Sequence, residues 1–357
     1  MPKHIQLDSS VANLLNKGTV IPAHPLALTS ALHLDEARQR QLTRYYIGSG
    51  AGGVAVGVHT TQFEIRKPEI NLLEPVLKMT ADEIAIAQLA RPFIKVAGIC
   101  GPVEQALKEA ELARKYGYHL GLLSNGGLNN YTEAELIKRT EAVAEIIPVF
   151  GFYLQPAVGG RYLSYDFWRD FAEIPNVQAI KVAAFNRYQT LDVVRAVCHS
   201  SRRKEIALYT GNDDNIVADL LTPYQFMVNG DKVEKTFVGG LLGHWAVWTK
   251  QAVELFNEIK VCVANDYAGV ETLLAKGVEV TDMNAVIFDA RNAFKGCIPG
   301  IHEVLRRQGL LPGGFCLNAE EVLSGGQAEE IDRICESYRH LTDDEFVQAF
   351  LQSRTVK

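Results

Sequence analysis

The sequence predicts an α/β fold, a (β/α)8 TIM barrel followed by a C-terminal helical extension, and three observations carry that prediction. Eight short apolar runs alternate with helical patterns from Thr19 to Leu242, which is the strand count of a closed barrel. Two of these runs, Val149–Gln155 and Val177–Phe185, are apolar almost throughout, as strands covered on both faces are. Beyond Trp245 the pattern is helical only.

In chain order, a short helical lead-in from Val11 to Asn16 precedes a first strand beginning at Thr19 and running through Val20, Ile21 and Pro22 toward Leu28. Asp35 opens a helix that reaches about Ile47, and Gly52–Val58 is the second strand. Further strands are expected at Phe93–Ile99, His119–Leu123, Val149–Gln155, Val177–Phe185, Glu205–Thr210 and Thr236–Leu242. Helices between them fall at Val103–Tyr116, Glu133–Ile147, Tyr165–Ala172, Thr190–His199 and Asn215–Leu221. A barrel domain over residues 1–245 would then be followed, over 246–357, by the last barrel helix and a helical appendage. Its helices are expected at 246–274, 283–294, 301–308, 319–324, 328–338 and 343–351, punctuated by Pro299-Gly300 and Pro312-Gly-Gly314.

Composition excludes several classes. With 47% hydrophobic and 22% charged residues the 357-residue chain can bury a large core, and a net charge of -6 leaves no basic footprint for nucleic acid. No run of 18 apolar residues and no apolar leader is present, so a cytoplasmic protein without a membrane partner is expected. The six cysteines are scattered, with no C-x-x-C, which fits reduced core residues and no metal site. Gly48-Ser-Gly-Ala-Gly-Gly53 matches a dinucleotide fingerprint in letters only, because a helix precedes it and a strand follows. Leu323-Ser-Gly-Gly-Gln327 stands in a chain with no phosphate-binding loop and reads as a helix end and turn.

Chemistry in a barrel sits at the C-terminal ends of the strands. There stand His59-Thr60-Thr61-Gln62 after strand two, Tyr153 on strand five, Lys181 on strand six and Thr210-Gly211-Asn212-Asp213-Asp214 after strand seven. A lysine between Ala179 and Ala183 on an apolar strand is driven toward its neutral form by burial, and a neutral amine is the nucleophile for an imine with a ketone. The period-2 pattern puts Phe152 and Leu154 on one face of strand five and Gly151, Tyr153 and Gln155 on the other. The expectation is that the bulky residues face helices, and that Tyr153 and Lys181 both point inward and meet. Taken alone, Thr60-Thr61 also fits an ordinary turn, and Asp213 or Asp214 also fits a helix N-cap before Ile216.

Together these residues resemble the dihydrodipicolinate synthase/N-acetylneuraminate lyase family of Schiff-base aldolases, over about residues 18–275. The family's Tyr-x-x-Pro-x-x-x-Gly matches Tyr153-Leu-Gln-Pro156-Ala-Val-Gly-Gly160, and its imine lysine matches Ala179-Ile-Lys181, 28 residues beyond the tyrosine. Its hydroxyl pair matches Thr60-Thr61, and its G-x-D-[DE] matches Gly211-Asn-Asp213-Asp214.

The resemblance implies that Lys181 condenses with a pyruvate-type 2-oxo acid whose carboxylate is held by Thr60 and Thr61. By the same resemblance Tyr153 shuttles protons and Gly211 and Asp213 line the site. No cofactor or metal is implied, since the protonated imine is the electron sink. A homo-oligomer, tetramer or dimer, acting on a 2-oxo acid and an aldehyde is also implied.

Departures narrow the substrate. The arginine that the synthases carry two residues after the proline is Val158, their aromatic relay is replaced by Ser124-Asn125-Gly126, and the lyase branch's threonine after the lysine is Ala183. His24, His59, Asn125, Asn186, Arg187, Tyr209 and His244 are candidates for a second-substrate pocket, with His24 and His244 equally suited to hydrogen-bonded core positions. Three readings follow: carbon-carbon lyase or aldolase, dehydratase through the same imine, and a non-catalytic barrel that binds a sugar acid.

Overall fold

The structure is a computed structural model, and it describes residues 5–353. Its strands are β1 Val20–Pro22, β2 Gly53–Val56, β3 Ile94–Ile99, β4 Leu120–Leu123, β5 Val149–Leu154, β6 Val177–Ala183, β7 Ala207–Thr210, β8 Tyr224–Val228, β9 Asp231–Lys235 and β10 Phe237–Leu242. Eight of them form one sheet in the order β1-β10-β7-β6-β5-β4-β3-β2. Ala23, directly after β1, bridges in parallel to Ala55 of β2, so the two ends of that order meet. This is the (β/α)8 barrel that the alternating pattern predicts. Burial on both faces explains the almost unbroken apolar runs, since β5 is buried at every position.

The helices are α1 Ser9–Lys17, α2 Glu36–Gly48, α3 Leu73–Ile86, α4 Val103–Lys115, α5 Glu133–Ala144, α6 Tyr165–Glu173, α7 Arg187–His199 and α8 Ile216–Leu221. In the extension they are α9 Thr249–Ala264, α10 Val270–Ile287, α11 Cys297–Arg307, α12 Gln327–Ser337 and α13 Asp344–Gln352.

The chain forms two compact units. One holds the residues up to Thr19 with Ile94–Leu241, so it carries β3 to β9 and nearly all of β10. In it α1 is tied to β7, because the Tyr209 hydroxyl donates to the Leu15 carbonyl at 2.9 Å. Gly18, at φ +80, ends α1 against β10, where a Cβ would lie 1.5 Å from the Val238 carbonyl oxygen; only glycine fits. The antiparallel hairpin β8–β9 also belongs here, absent from the sequence expectation.

The other unit holds Val20–Phe93 with Leu242–Lys357. The sequence reading left α3 unplaced, yet α3 is fixed by a buried carboxylate. Glu83, 2% exposed, takes Arg40 Nη1 at 3.2 Å and Arg44 Nη2 at 3.0 Å from α2. The expected helix 246–274 breaks at residues 265–269, where Asp266, Tyr267 and Gly269 all adopt positive φ. Residues 319–324 are a loop, and Gln327 begins α12 instead of following a helix end, its Nε2 donating to the Gly296 carbonyl at 3.0 Å. Asp343, 5% exposed, joins the last helices to α2 by accepting from the Tyr45 hydroxyl at 2.6 Å and the Gln308 amide at 2.9 Å.

All six cysteines are free thiols. Among the described residues no helix is long and apolar enough to cross a membrane, and no three His, Cys, Asp or Glu side chains gather as metal ligands.

Candidate active site

The site is built on β5, β6 and β7, which all lie in the first unit. Parallel register pairs Phe152 with Lys181 and Lys181 with Tyr209, so these three side chains share one face, the face of Phe150 and Ala179. Lys181 is 8% exposed, and its Nζ sits 4.4 Å from the centroid of the Phe152 ring. Burial pulls the amine down from its ordinary 10.5 to about 8, while the negative charge of Asp213, itself 9% exposed, pushes it back up. The result is an amine that is part neutral near physiological pH. The sequence argument for Lys181 placed it among small residues, and Ala179 and Ala183 do flank it.

The loop after β7 closes on this amine. A Cβ at Gly211 would lie 2.4 Å from Lys181 Cε and 2.8 Å from Ala183 Cβ, so the backbone passes where any other residue would collide. Gly211 N–H donates to Val182 O at 2.7 Å, continuing the sheet.

Asp219 of α8, fully buried, holds the loop in place. Its carboxylate accepts from Thr210 Oγ1 at 2.7 Å, Asn212 Nδ2 at 2.9 Å, Asn215 Nδ2 at 3.1 Å and the Tyr224 hydroxyl at 3.1 Å, and pairs with Arg187. Asn212 Oδ1 in turn accepts from the N–H of Phe185, a residue at φ +49 just past β6, so the loops after β6 and β7 are stitched together. Sequence reasoning missed Asp219, although its place one turn into a helix after G-N-D-D is the kind of signal that could have found it. The residue before α8 is Asn215, so neither Asp213 nor Asp214 is its N-cap.

Tyr153 requires a correction. It pairs in register with Val182, one residue out of phase with Lys181, and therefore faces α6. Its ring lies 5.3 Å from that of Trp168, its hydroxyl donates to the Leu163 carbonyl at 3.4 Å and accepts the Leu163 N–H at 3.3 Å, and burial pushes its phenol up to about 12. The structure does not bring Tyr153 to Lys181. The bulky-outside rule fails on β5, where Gly151 leaves a gap on the helix side that Phe171 fills, and Phe150 and Phe152 turn to the Lys181 face.

Thr60 and Thr61 lie in the second unit, on a 3₁₀ turn, His59–Thr61, after the C-terminal end of β2. Thr61 Oγ1 donates to the His24 carbonyl at 2.7 Å and accepts from Gly57 N at 3.0 Å and Val58 N at 3.3 Å, so this hydroxyl is committed to the turn. Thr60 Oγ1 reaches the same carbonyl at 3.3 Å.

Several second-substrate candidates have structural duties. His24 is buried and bonded to Pro25, Gln39 and Thr43, and burial takes it down to about 4. His244 is buried and lowered to about 4 for the same reason. Asn186 caps α7, Arg187 pairs with Asp219 and Tyr209 serves α1. Asn125 follows β4, its Oδ1 accepting from the buried Arg139 at 3.2 Å, which leaves its amide as a possible donor. His59 lies beside Phe63, ring centroids 5.9 Å apart.

A sequence model of the Dihydrodipicolinate synthetase family matches residues 17–223. A search of curated proteins finds no match in sequence. Among solved structures, a dihydrodipicolinate synthase from Oceanobacillus iheyensis superposes with a TM-score of 0.73 at 15% identity, covering 92% of this chain and 99% of its own. YagE, a prophage protein of the dihydrodipicolinic acid synthase family from E. coli K12 solved in complex with pyruvate, gives 0.72 at 16%, covering 90% and 98%. N-acetylneuraminate lyase from Fusobacterium nucleatum gives 0.68 at 16%, covering 90% and 99%.

Proposed function

This chain belongs to the dihydrodipicolinate synthetase family, as a divergent member, and from that premise we propose that it is a Schiff-base-forming lyase or aldolase acting on a pyruvate-type 2-oxo acid through Lys181. The observation that carries the reading is the Lys181 amine: buried on a barrel strand, lowered toward neutrality, and enclosed by Phe152, Gly211 and Asp213.

In this reading the neutral amine attacks C2 of the 2-oxo acid and the carbinolamine loses water, leaving a protonated imine. Asp213 offsets the iminium charge, and the dry, aromatic wall of Phe152 keeps the amine from its fully hydrated, protonated state. The iminium then accepts the electron pair released when a carbon-carbon bond breaks, or when a proton is lost from C3 to give the enamine. The backbone-bonded phenol of Tyr153 is not assigned the proton transfers. These are assigned to Asp213 and water. Assembly as a dimer or tetramer belongs to the same reading and is checked by light scattering.

The test is intact-protein mass spectrometry after incubation with pyruvate and borohydride. One pyruvate adduct on the native chain, lost in Lys181→Ala, is the expected result. No adduct across several 2-oxo acids would overturn the reading in favour of a barrel that only binds. Product analysis with an adduct-forming 2-oxo acid separates aldol cleavage from water loss.

A further inference from the structure

The strand β4 ends beside the three strands that carry the Lys181 centre, in the same unit. Its register pairs Leu122 with Phe150 and Leu123 with Gly151, so Ser124, the next residue, stands beside Phe152. Ser124 N–H donates to the Ile99 carbonyl at 2.9 Å, which carries the sheet through this residue. Alternation then gives its side chain the face of Leu122, Phe152 and Lys181. The opposite face is the helix side, where a Cβ at Gly121 would lie 3.2 Å from the Ile147 side chain and where Asn125 meets Arg139 of α5.

Ser124 is 4% exposed. Its Oγ accepts the Gly126 N–H at 3.1 Å, and its own proton finds no acceptor among the described residues. A buried hydroxyl ordinarily has both roles filled. The backbone around it is fixed by the buried Arg139, which donates to the Ser124 carbonyl at 3.1 Å, to Asn125 Oδ1 at 3.2 Å and to the Gly101 carbonyl at 2.8 Å. The polar side chains on this face at the C-terminal ends of β4 to β7 are Ser124, Lys181 and Tyr209, and the tyrosine gives its proton to Leu15. The serine is left as the donor.

Neighbouring strands lie about 4.8 Å apart, so about 10 Å separates the backbones of Ser124 and Lys181, with Phe152 between them. The lysine stem spans part of that width, because Nζ lies over the Phe152 ring, 4.4 Å from its centroid. What remains is about 5 Å, the reach of a carbon bonded to nitrogen, the oxygen on that carbon and one hydrogen bond.

We propose that Ser124 is a catalytic residue of the imine-forming step, donating its hydroxyl hydrogen bond to the C2 oxygen of the 2-oxo acid. As the amine adds, the carbonyl π pair moves onto that oxygen, and the Ser124 O–H meets the charge that develops there. When the carbinolamine collapses, the C2–O bond breaks and the nitrogen lone pair closes the C=N bond. The oxygen leaves as water with a proton drawn from solvent through Asp213 and water, and Ser124 keeps its own. The Gly126 N–H holds the serine oxygen and polarises its O–H toward the substrate.

The inference rests on the lyase reading, and its test separates the two. Borohydride trapping is followed against pyruvate concentration in the native chain, Ser124→Ala, Ser124→Cys and Ser124→Thr. The alanine removes the donor, the cysteine keeps the size with only a weak donor, and the threonine keeps the hydroxyl. The trapping rate at saturating pyruvate should fall by roughly 100-fold in Ser124→Ala and by roughly ten-fold or more in Ser124→Cys, the scale of one lost donor to a developing oxyanion. Ser124→Thr should stay within about three-fold of native, and half-saturating pyruvate should move by less than about three-fold in every variant, since the ground-state ketone lacks that charge. An adduct in the native chain with a Ser124→Ala rate within about three-fold of it, or with an equal fall in Ser124→Thr, overturns the role of Ser124 alone. So does a rise in half-saturation with the rate at saturation kept, which marks a binding wall. Where Ser124→Ala fails to fold, Ser124→Cys against Ser124→Thr decides. No adduct in the native chain overturns the lyase reading and the role of Ser124 with it.

Discussion

At the scale of single residues, the phenol of Tyr153 separates two accounts of the chemistry. Its hydroxyl is bonded to the backbone of Leu163 on both sides and its ring lies against Trp168, so its duty is to hold residues 153–163 to α6. Tyr153→Phe should lower stability by about 1 kcal/mol, the worth of an ordinary buried hydrogen bond. The rate of imine trapping should change by less than about three-fold, where loss of a general acid would slow it by roughly 100-fold or more. Trapping rates and urea midpoints of the variant check both parts, and a collapse in rate would return Tyr153 to the chemistry. The lysine was legible because an ammonium on an apolar strand is costly to bury, a conflict visible in the letters alone. The facing of Tyr153 was not. Period-2 alternation gives two faces but not which of them looks inward, and β5 has large residues on both. What decides is Gly151, whose missing side chain admits Phe171 on the helix side, a tertiary fit invisible in one strand's letters.

Elements placed by pattern alone came through where the period was strong and failed where partners decide. The barrel strands and α4 to α7 follow their apolar periods closely. The helix α3 escaped notice because its buried positions include Thr80 and Glu83, two polar residues, of which Glu83 is paired with Arg40 and Arg44 of α2. The hairpin β8–β9 escaped because alternate residues such as Met227 stand exposed, which blunts the usual alternation. The same partner logic governs the loop after β7, where Asp219 gathers Thr210, Asn212, Asn215, Tyr224 and Arg187. Asp219→Ala strands those donors and should cost about 3 kcal/mol, between the loss of one charged hydrogen bond and that of a whole buried pair. Because Gly211 rides on this loop against Lys181 Cε, imine trapping should slow as well, by roughly ten-fold. Urea unfolding and trapping rates measured together are the check. Lost stability with an unchanged rate would mean that the sheet bond from Gly211 to Val182 places the loop by itself.

For the molecule as a whole, the amine that the proposed chemistry needs is a burden on the fold. Lys181 is lowered from 10.5 to about 8, chiefly by burial, so the unfolded chain binds its proton more readily than the folded one does. The sign follows from that difference. Below about pH 8 both states carry the proton and the full penalty is present; between about 8 and 10.5 the unfolded state holds more protons, so stability rises with pH; above 10.5 the penalty is gone. A gap of this size is on the order of 3 kcal/mol, some of it already offset by Asp213. Lys181→Met keeps the length of the stem and removes the charge. The variant should therefore be more stable than the native chain by a few kcal/mol at pH 7, an advantage that fades as the pH approaches 10.5. Urea unfolding of both proteins at a series of pH values measures it, and the trapping experiment on the same variant should give no adduct. A barrel that retained Lys181 only as a solvated strand-end residue would show neither the gain nor its pH dependence, since a hydrated ammonium carries no penalty to relieve. Stability gained together with chemistry lost would identify Lys181 as a group the fold keeps at its own expense, which is how a reactive amine inside a barrel differs from a structural one.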